Sequence, residues 1–331
     1  MDTSATVPAC FIGCDVGKAE IVVYDSRTER ITRVRNDAPA LFDFALALDP
    51  DALVICEPTG GYEAPLLDAL IRAGRAAHRA DARKVKAFIR SLGILGKSDA
   101  IDAKALAHYG RERHHRLPRW LPRERQRDRL TRLVSIRHDL VEQRVACRNR
   151  LHAPGIGDLA GRLHRILGVL DAEIAGIEAD MQLLVAACDP LRKTVAVLSA
   201  ITGIGALTAI RLAALIPPQP FQRCFASSEP WAAPPELGTL GRRQAAALAG
   251  LAPHPRQSGA RDAYRATRGG RPGVKHTLFM AALTAARRNA HLAAFYRRLI
   301  ANGKKPIVAI VAVMRKLIVI ANAKLRDAAI V

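Results

Sequence analysis

The chain has 331 residues, half of them hydrophobic, and carries a formal net charge of +21. That length and apolar content predict two or three folded domains and exclude an intrinsically disordered chain. The positive charge favours a polyanionic partner, most often nucleic acid. An evenly basic composition without a role in binding is the alternative, but the charge is clustered, because residues 104–150 contain 14 Lys/Arg and 5 Asp/Glu.

The six cysteines form no C-x-x-C pair and no cluster with zinc-binding spacing. Most lie in apolar surroundings, as free cysteines do in a reducing cytosol. The N-terminus shows no signal peptide, and the longest apolar run, residues 307–313, is too short to cross a bilayer. These features predict a cytoplasmic protein without a membrane partner.

The first third of the chain predicts an α/β fold. Amphipathic segments indicate helices at residues 38–48, 64–73 and 82–92. Apolar runs indicate strands at residues 9–15, 21–24, 31–34, 52–56 and 76–80. The first run ends in Asp15, and the fourth is followed directly by Glu57. Functional groups gather at the carboxyl ends of strands in open α/β sheets, so these two acids are candidate site residues.

A further helix is predicted to begin at Ser98, an N-cap residue followed by good helix formers. Asp99 and Asp102 are three residues apart in its first turn, so both carboxylates leave the same face. The simpler explanations are that this pair complements the helix dipole and that Asp15 or Glu57 alone is a solvated strand end. Four convergent carboxylates, however, would repel one another without a cation. Mg²⁺ prefers oxygen ligands of this kind, and two ions about 3.5–4 Å apart are usual where phosphodiesters are cut.

The order Asp, Glu, Asp-x-x-Asp resembles the DEDD catalytic set of RuvC-like nucleases with an RNase H fold. The segments IGCDVGKAEIVVYD, CEPTGGYEAPLLDAL and GKSDAIDAKALAHYG resemble the N-terminal domain of DEDD insertion-sequence transposases. That family includes the Piv-type DNA invertases and the bridge-RNA-guided recombinases. The resemblance implies a RuvC-like catalytic domain over residues 1–115 that binds two Mg²⁺ ions. Its implied metal-binding and catalytic residues are Asp15, Glu57, Asp99 and Asp102.

Residues 116–190 are predicted to form a helical coiled-coil hairpin. One long helix covers residues 123–151 and a second ends near residue 185. The second helix carries an apolar stripe in alternating steps of four and three: Leu163, Leu167, Leu170, Ile174, Ile177, Met181 and Leu184. Two such helices joined by a short turn predict an antiparallel hairpin, to which a dimer contact could be added. Packing of the stripe on the first domain alone fits equally well. Six arginines of the first helix favour phosphate contact over a merely solvated face: Arg125, Arg129, Arg132, Arg137, Arg144 and Arg148.

The remaining residues, 191–331, are predicted to form a mostly α-helical domain. The sequence around Gly203 and Gly205 resembles the hairpin of helix-hairpin-helix modules, in which backbone N–H groups at a helix N-terminus bind a DNA phosphate. A plain helix–helix turn is the alternative. Residues 217–235 are rich in proline and predict an exposed loop. A basic, turn-rich stretch farther along holds the other candidate nucleic-acid-binding residues: Arg265, Arg268, Arg271 and Lys275.

The segments LGTLGRRQAAALAGLAPHPRQSG, TRGGRPGVKHTLFMAALTAARRN and FYRRLIANGKKPIVAIVAVMRKLIVIANAKLRD resemble the C-terminal domain of the same transposases. In that family the serine before glycine in the first segment is the recombination nucleophile, which implies this role for Ser258. A serine hydroxyl is a weak nucleophile, and no nearby His or Asp is spaced as an obvious base. Activation by the metal-bound acids of the same or a partner subunit is therefore the hypothesis. An ordinary turn serine before glycine is the alternative.

Two departures from the family pattern stand out. Residues 218–234 look like inserted or replaced sequence, and Lys275 stands where relatives usually carry Arg. Lysine keeps the charge but lacks the planar fork of arginine.

The resemblance covers nearly the whole chain and implies a transposase, or DNA recombinase, of a bacterial insertion sequence. Its implied partners are donor and target DNA, a non-coding guide RNA and further copies of the chain in a dimer or tetramer, with nucleoid association in the cytoplasm. Two other functions fit the residues. One is a RuvC-type junction nuclease that hydrolyses DNA with water, and the other is a DNA-binding protein without enzymatic activity.

Overall fold

The computed structural model describes residues 8–93, 96, 98–122, 124–216, 237–254, 265–271 and 273–328, and the backbone of 257–258 and 261–262. These residues belong to two compact units, the first of which contains the chain up to Pro122. The predicted hairpin and C-terminal domains fall together in the second unit, and a division between them at residue 190 stays a prediction. The proline-rich segment 217–235 lies outside the described residues.

A five-stranded mixed sheet forms the centre of the first unit. Its strands are β1 (Phe11–Val16), β2 (Glu20–Asp25), β3 (Ile31–Arg35), β4 (Leu53–Cys56) and β5 (Ala76–Arg79). They lie in the order β3-β2-β1-β4-β5. The first three strands pair antiparallel, whereas β1 pairs parallel with β4 and β4 parallel with β5. The carboxyl ends of β1 and β4 therefore lie at the same edge of the sheet, as predicted.

Four helices cover the two faces of this sheet. They are α1 (Ala38–Ala47), α2 (Ala64–Arg72), α3 (Ala82–Ser91) and α4 (Asp99–Arg113). One apolar core joins α1 and α2 to the sheet, and a second core on the opposite face joins α3 and α4 to it. The predicted N-cap is confirmed, because the Ser98 hydroxyl accepts a hydrogen bond from the backbone nitrogen of Ile101. The mixed sheet between helices fits the predicted α/β RNase H-like fold.

The cysteines of this unit are part of its core. Cys10, Cys14 and Cys56 are buried with free thiols, and burial raises the pKa of Cys56 to about 12. Thiols of this kind stay protonated and pack as small hydrophobes, which agrees with the sequence interpretation.

The second unit is mostly helical, as predicted. Its helices are α5 (Arg125–Leu151), α6 (Ala160–Ala186), α7 (Asp189–Ser199), α8 (Ala206–Leu215), α9 (Arg242–Leu248), α10 (Val274–Arg288), α11 (Ala290–Ala301) and α12 (Pro306–Ala328). Two short strands, β6 (Gln257–Ser258) and β7 (Arg261–Asp262), lie between α9 and α10.

The two longest helices, α5 and α6, lie side by side and antiparallel. Leu130 near the start of α5 packs in one cluster with Met181 near the end of α6, and Cys147 near the end of α5 packs with Leu167 near the start of α6. All seven residues of the predicted apolar stripe on α6 are buried or half-buried. Supercoiling of the pair and a dimer contact stay predictions.

The core of the second unit lies around α12. Val313, Leu317 and Ala321 of this helix are fully buried in a cluster with residues of α7 to α11. Among the described helices, α12 alone is long and apolar enough to cross a membrane by length and composition. Its burial among other helices identifies it as a core helix of this unit.

Candidate active site

Strand pairing brings Asp15 and Glu57 to the same place on the sheet. Successive side chains of a strand point to opposite faces, and Ile55 of β4 points to the face that α4 covers. Cys14 pairs with Cys56 across the two parallel strands. The residue after each of these cysteines is an acid, Asp15 within β1 and Glu57 directly after β4, and both acids continue the alternation that faces α4. Asp15 and Glu57 are therefore neighbours at the edge where β1 and β4 end.

A close backbone contact brings α4 to the same edge. A Cβ at Gly13 would overlap the carbonyl oxygen of Ala103 and lie 2.6 Å from the backbone nitrogen of Ala107. Only glycine permits this approach between β1 and α4. Asp15 lies two residues after Gly13, and Asp99 lies one helical turn before Ala103. The contact thus places the end of β1 beside the first turn of α4.

The four predicted acids gather at this corner of the first unit. Asp15 and Asp99 line one cavity of about 280 Å³. Glu57 is half-buried, and its pKa lies above the ordinary glutamate value. Burial is the main cause; Lys86 opposes it, and the negative charges of Asp102 and Asp15 add to it. The pairing of β1 with β4 and the contact of Gly13 with α4 thus bring these acids to one edge of the sheet, and their role as metal ligands stays a prediction.

The acids do not form a ready-made metal cage. Within the described part of the chain, no three His, Cys, Asp or Glu side chains lie close enough together to hold one ion. The donor chemistry nevertheless fits a divalent metal, because carboxylate oxygens are the ligands that Mg²⁺ prefers and because a cation relieves the repulsion among them.

Ser258 belongs to the second unit. It lies in β6, which pairs antiparallel with β7 and sets Ser258 opposite Arg261. A separate antiparallel bridge between Pro253 and Thr267 joins the two ends of this stretch. The role of Ser258 as the nucleophile stays a prediction.

The four basic residues predicted to bind nucleic acid have different surroundings. Arg265 and Arg268 are exposed. Lys275, in the first turn of α10, donates from Nζ to a threonine hydroxyl 2.9 Å away. Arg271 is half-buried, and its Nη1 donates to the carbonyl oxygen of Leu215 at the end of α8 (3.0 Å). Part of the Arg271 guanidinium therefore serves the fold.

Comparison with protein families decides the identity of the chain. Residues 12–154 match the family profile of DEDD-type IS110 transposases, and residues 240–297 match that of transposases of the IS116/IS110/IS902 family. The two ranges together span more than half of the 331 residues. The chain belongs to the IS110 family of DEDD transposases. No curated protein matches it.

Membership of this family identifies the transposase as an enzyme that acts on DNA. The first matched range contains the four acids at the edge of the sheet, and the second contains Ser258. A DNA-binding protein without enzymatic activity is therefore the wrong interpretation of the basic charge. DEDD domains generally use divalent metal ions, which agrees with the oxygen donors at this site.

Glu63 organises the loop of the transposase that carries Glu57, and sequence reasoning missed it. Its side chain is 5% exposed. Oε2 accepts hydrogen bonds from the backbone nitrogens of Thr59 and Gly61, each at 3.0 Å. Oε1 accepts two from Arg79 of β5, at 2.9 Å from Nε and 2.7 Å from Nη2. A single buried carboxylate thus fixes the loop after β4 to the neighbouring strand.

Asn36, also missed, joins the two loops that flank the acids. Its Nδ2 donates to the carbonyl oxygen of Gly17, after β1 (2.8 Å), and to that of Tyr62, after β4 (3.0 Å). Both partners are acceptors, which fixes the orientation of the amide. Glu63 and Asn36 are thus positioning residues: they hold the segments that present Glu57 and Asp15.

The glycines of the helix-hairpin-helix-like element have different local roles. A Cβ at Gly203 would lie 2.6 Å from the Cβ of Ala285, so this glycine lets the turn between α7 and α8 pack on α10. Gly205 is the N-cap residue of α8, and no atom lies within 4 Å of an added Cβ there. Packing explains Gly203 without nucleic acid, whereas the open position of Gly205 is compatible with a phosphate contact, which stays a prediction.

The arginines of α5 are less available for phosphate than the sequence indicates. Four of the six form ion pairs within the second unit, and three of those four pair with acids of α6. Arg137 pairs with Glu178 (2.6 Å) and Arg144 with Asp171 (2.9 Å). Arg125 and Arg129 are exposed and pair with no acid among the described residues. Three of the six arginines thus hold α5 and α6 together.

Proposed function

We propose that this transposase cuts and rejoins DNA through a serine nucleophile, Ser258, and a magnesium site formed by the DEDD acids. The observation that carries the metal part is the convergence of strand-end and helix-start acids at one edge of the sheet. Asp15 and Asp99 share a cavity, and Glu57 responds to the charge of Asp102 and Asp15. The resemblance to the family carries the serine part.

The proposed site would hold two metal ions, and its ligands would be Asp15, Glu57, Asp99 and Asp102. Bound Mg²⁺ supplies electrostatic stabilisation of charge that develops on the transferring phosphate. The chain's own contribution is to hold four hard oxygen donors near one cavity. Lys18, which lines the same cavity, adds a positive charge for the phosphate backbone of DNA.

In the covalent step, Oγ of Ser258 attacks the phosphorus of a DNA phosphodiester. A serine O–P bond forms, and the bond between phosphorus and one deoxyribose oxygen breaks. The hydroxyl proton passes to a base, and the freed deoxyribose oxygen takes up a proton to become a hydroxyl group. One phosphodiester is exchanged for another, so the step needs no oxidant and no energy-rich cofactor. Reversal with a different DNA hydroxyl rejoins the strand.

The proposal also includes donor and target DNA as substrates, a homo-oligomer of two or four chains, and a non-coding guide RNA. The positive charge supports a nucleic-acid partner of either kind. Sequencing the nucleic acid that co-purifies with the protein tests the guide: a discrete RNA encoded beside the gene is expected, and a mixture of random cellular RNA would contradict it.

A Ser258→Ala variant tests the nucleophile in an assay with donor and target plasmids. The variant is expected to lose both recombinant product and the covalent protein–DNA adduct on a denaturing gel. Ser135→Ala, which changes an exposed serine of α5, is the matched control and is expected to retain both. If Ser258→Ala still recombined DNA, the serine hypothesis would be wrong. If it still cut DNA and left hydrolysed ends, the RuvC-type nuclease would be the better description.

An Asp99→Asn variant tests the metal site independently of the serine. Mg²⁺ is expected to raise the thermal midpoint of the wild-type protein, because a ligand that binds only the folded state stabilises it. The same addition is expected to leave Asp99→Asn unchanged and to stabilise Asp68→Asn, a control at an exposed position of α2. If Mg²⁺ raised the thermal midpoint of all three proteins equally, the DEDD acids would not be the metal ligands.

A further inference from the structure

A cleft on the second unit, between α11 and α12, combines an aromatic ring with unpaired positive charge. It has a volume of about 300 Å³ and is lined by His291, Ala294, Phe295, Arg298 and Lys316. The Nζ atom of Lys316 lies 4.1 Å from the centre of the Phe295 ring, and the guanidinium carbon of Arg298 lies 5.5 Å from it. One half-buried ring thus holds two cations on the wall of one cleft.

No negative charge balances these cations within the described part of the chain. None of the lining residues is acidic, and neither Arg298 nor Lys316 forms an ion pair with a described carboxylate. The surrounding sequence is strongly biased in the same direction, since residues 237–331 contain 18 Lys/Arg and 2 Asp/Glu. Two like charges held near one ring repel each other, and an anion bound between them would relieve that repulsion.

Capping of a half-buried phenylalanine by cationic side chains is the simpler explanation for the contacts. It does not account for the cleft, because stacking on a ring needs no concave space beside it. An ammonium group that rests on an aromatic face keeps its N–H donors for another partner. The ring therefore restricts the two side chains without using their hydrogen-bonding capacity, which lowers the entropic cost of binding an anion.

We propose that this Phe295 cleft, formed by His291, Phe295, Arg298 and Lys316, binds a backbone phosphate of the transposase's DNA substrate. The chain belongs to a family of enzymes that act on DNA, and a phosphodiester is the anion that such a substrate presents at regular spacing. Lysine and arginine are the usual donors to DNA phosphate, and these contacts position a protein on DNA without reading its sequence. The cleft thus serves as an anchoring point for DNA of any sequence.

Binding of a labelled DNA duplex in the presence of a chelator, measured as a function of salt, tests the proposal. The chelator keeps the DEDD acids out of the measurement, so the result is independent of metal and serine chemistry. Lys316→Met removes the charge and keeps a side chain that packs on the ring. It is expected to weaken binding about five-fold and to lower the slope of log K against log salt by about 0.9, the value for one lost phosphate contact.

Two further variants separate charge from position. Arg298→Met combined with Lys316→Met is expected to lower the slope by about 1.8. Phe295→Leu keeps both charges but removes the ring that restricts the two cationic side chains. It is expected to weaken binding about two- to five-fold, as the loss of a cation–π contact implies. The matched control is Lys324→Met, which removes the same charge from an exposed position on α12 outside the cleft. It is expected to change the affinity for DNA by less than about two-fold.

Three outcomes would overturn the proposal. One is equal DNA affinity of Lys316→Met and the wild-type protein, with both folded by circular dichroism. Another is an equal loss in Lys316→Met and Lys324→Met, which would mean that only net charge matters. A third is a loss that affects a labelled RNA duplex and spares DNA, which would assign the cleft to a different nucleic acid. Lys316→Gln removes the same charge without introducing methionine, so its DNA affinity, measured in parallel, controls for an effect specific to that side chain.

Discussion

Gly13 of β1 and Ala103 of α4 are in direct backbone contact, with no space for a side chain between them. This contact sets the distance between the strand that carries Asp15 and the helix that begins with Asp99. We expect Gly13→Ala to destabilise the fold by about 1–3 kcal/mol or more, because the added methyl group must push α4 away from the sheet. Chemical denaturation measures the change, and DNA cleavage is expected to fall with it.

A second glycine provides the control for this prediction. Gly168 lies on an exposed face of α6, and no atom lies within 4 Å of an added Cβ. Gly168→Ala is expected to stabilise the protein by about 0.5–1 kcal/mol, since alanine is the better helix former. If Gly13→Ala were as stable as Gly168→Ala, close packing would not be what joins β1 to α4.

The sequence predicts the strands and the helix of the candidate site well, because the signals that mark them are close to the acids along the chain. Asp15 and Glu57 mark the ends of apolar runs, and Ser98 marks the start of a helix. Each signal lies within a few residues of the acid that it places. Register along a parallel strand pair then determines which acids face α4, so the convergence follows from elements that the sequence predicts.

The contacts that hold the site together leave no such local signal. Asn36 reaches carbonyl oxygens that are 19 and 26 residues away, and Glu63 binds an arginine 16 residues away. Hydrogen bonds of this kind have no periodicity that a sequence reveals. The same reasoning explains why the sequence overestimates the charge of α5 that is available for phosphate. Arg137 is neutralised by Glu178, which lies 41 residues away on another helix. A count of charges within one helix overlooks that partner.

Glu63→Gln tests the positioning of the Glu57 loop. Burial alone would raise the pKa of Glu63, but hydrogen bonds from Thr59 and Arg79 lower it below its usual value near 4.5. The variant is expected to lose about 1–3 kcal/mol of stability at pH 7, because a buried charge-assisted network is broken. A lowered pKa means that this contribution is fully present above about pH 4.5 and is lost as the pH falls through the folded-state value. The difference from wild type should therefore shrink in acid.

Asp128→Asn is the matched control for Glu63→Gln. Asp128 forms an ion pair with Arg132 one turn along α5 at 2.6 Å, but both side chains are exposed. Exposed pairs of this kind contribute about 0.5 kcal/mol or less. Urea titrations of both variants at pH 7 and pH 4 provide the comparison. An equal effect of the two variants at pH 7 would show that Glu63 is no more than a surface charge.

Asn36→Asp replaces a double hydrogen-bond donor with an acceptor that faces two carbonyl oxygens. The repulsion is expected to destabilise the protein by about 1–3 kcal/mol and to separate the loops that follow β1 and β4. The concentration of divalent metal required for half-maximal DNA cleavage is expected to rise, because Asp15 lies just before one of those loops and Glu57 begins the other. Asn149→Asp, at an exposed position of α5, makes the same chemical change and is expected to alter neither quantity. An unchanged metal requirement in Asn36→Asp would limit Asn36 to a role in folding.

The arginines of α5 are expected to divide into two groups. The Arg137 side chain is 13% exposed and pairs with Glu178, so Arg137→Ala should cost about 1–3 kcal/mol by leaving that carboxylate without its partner. Arg129 is exposed and pairs with no described acid, so Arg129→Ala should change stability by less than about 0.5 kcal/mol. If Arg129 binds a DNA phosphate, its removal should also lower the salt slope of DNA binding by about 0.9. Thermal melting and salt titration of both variants measure the two effects, and the opposite pattern would assign the helix-joining role to Arg129.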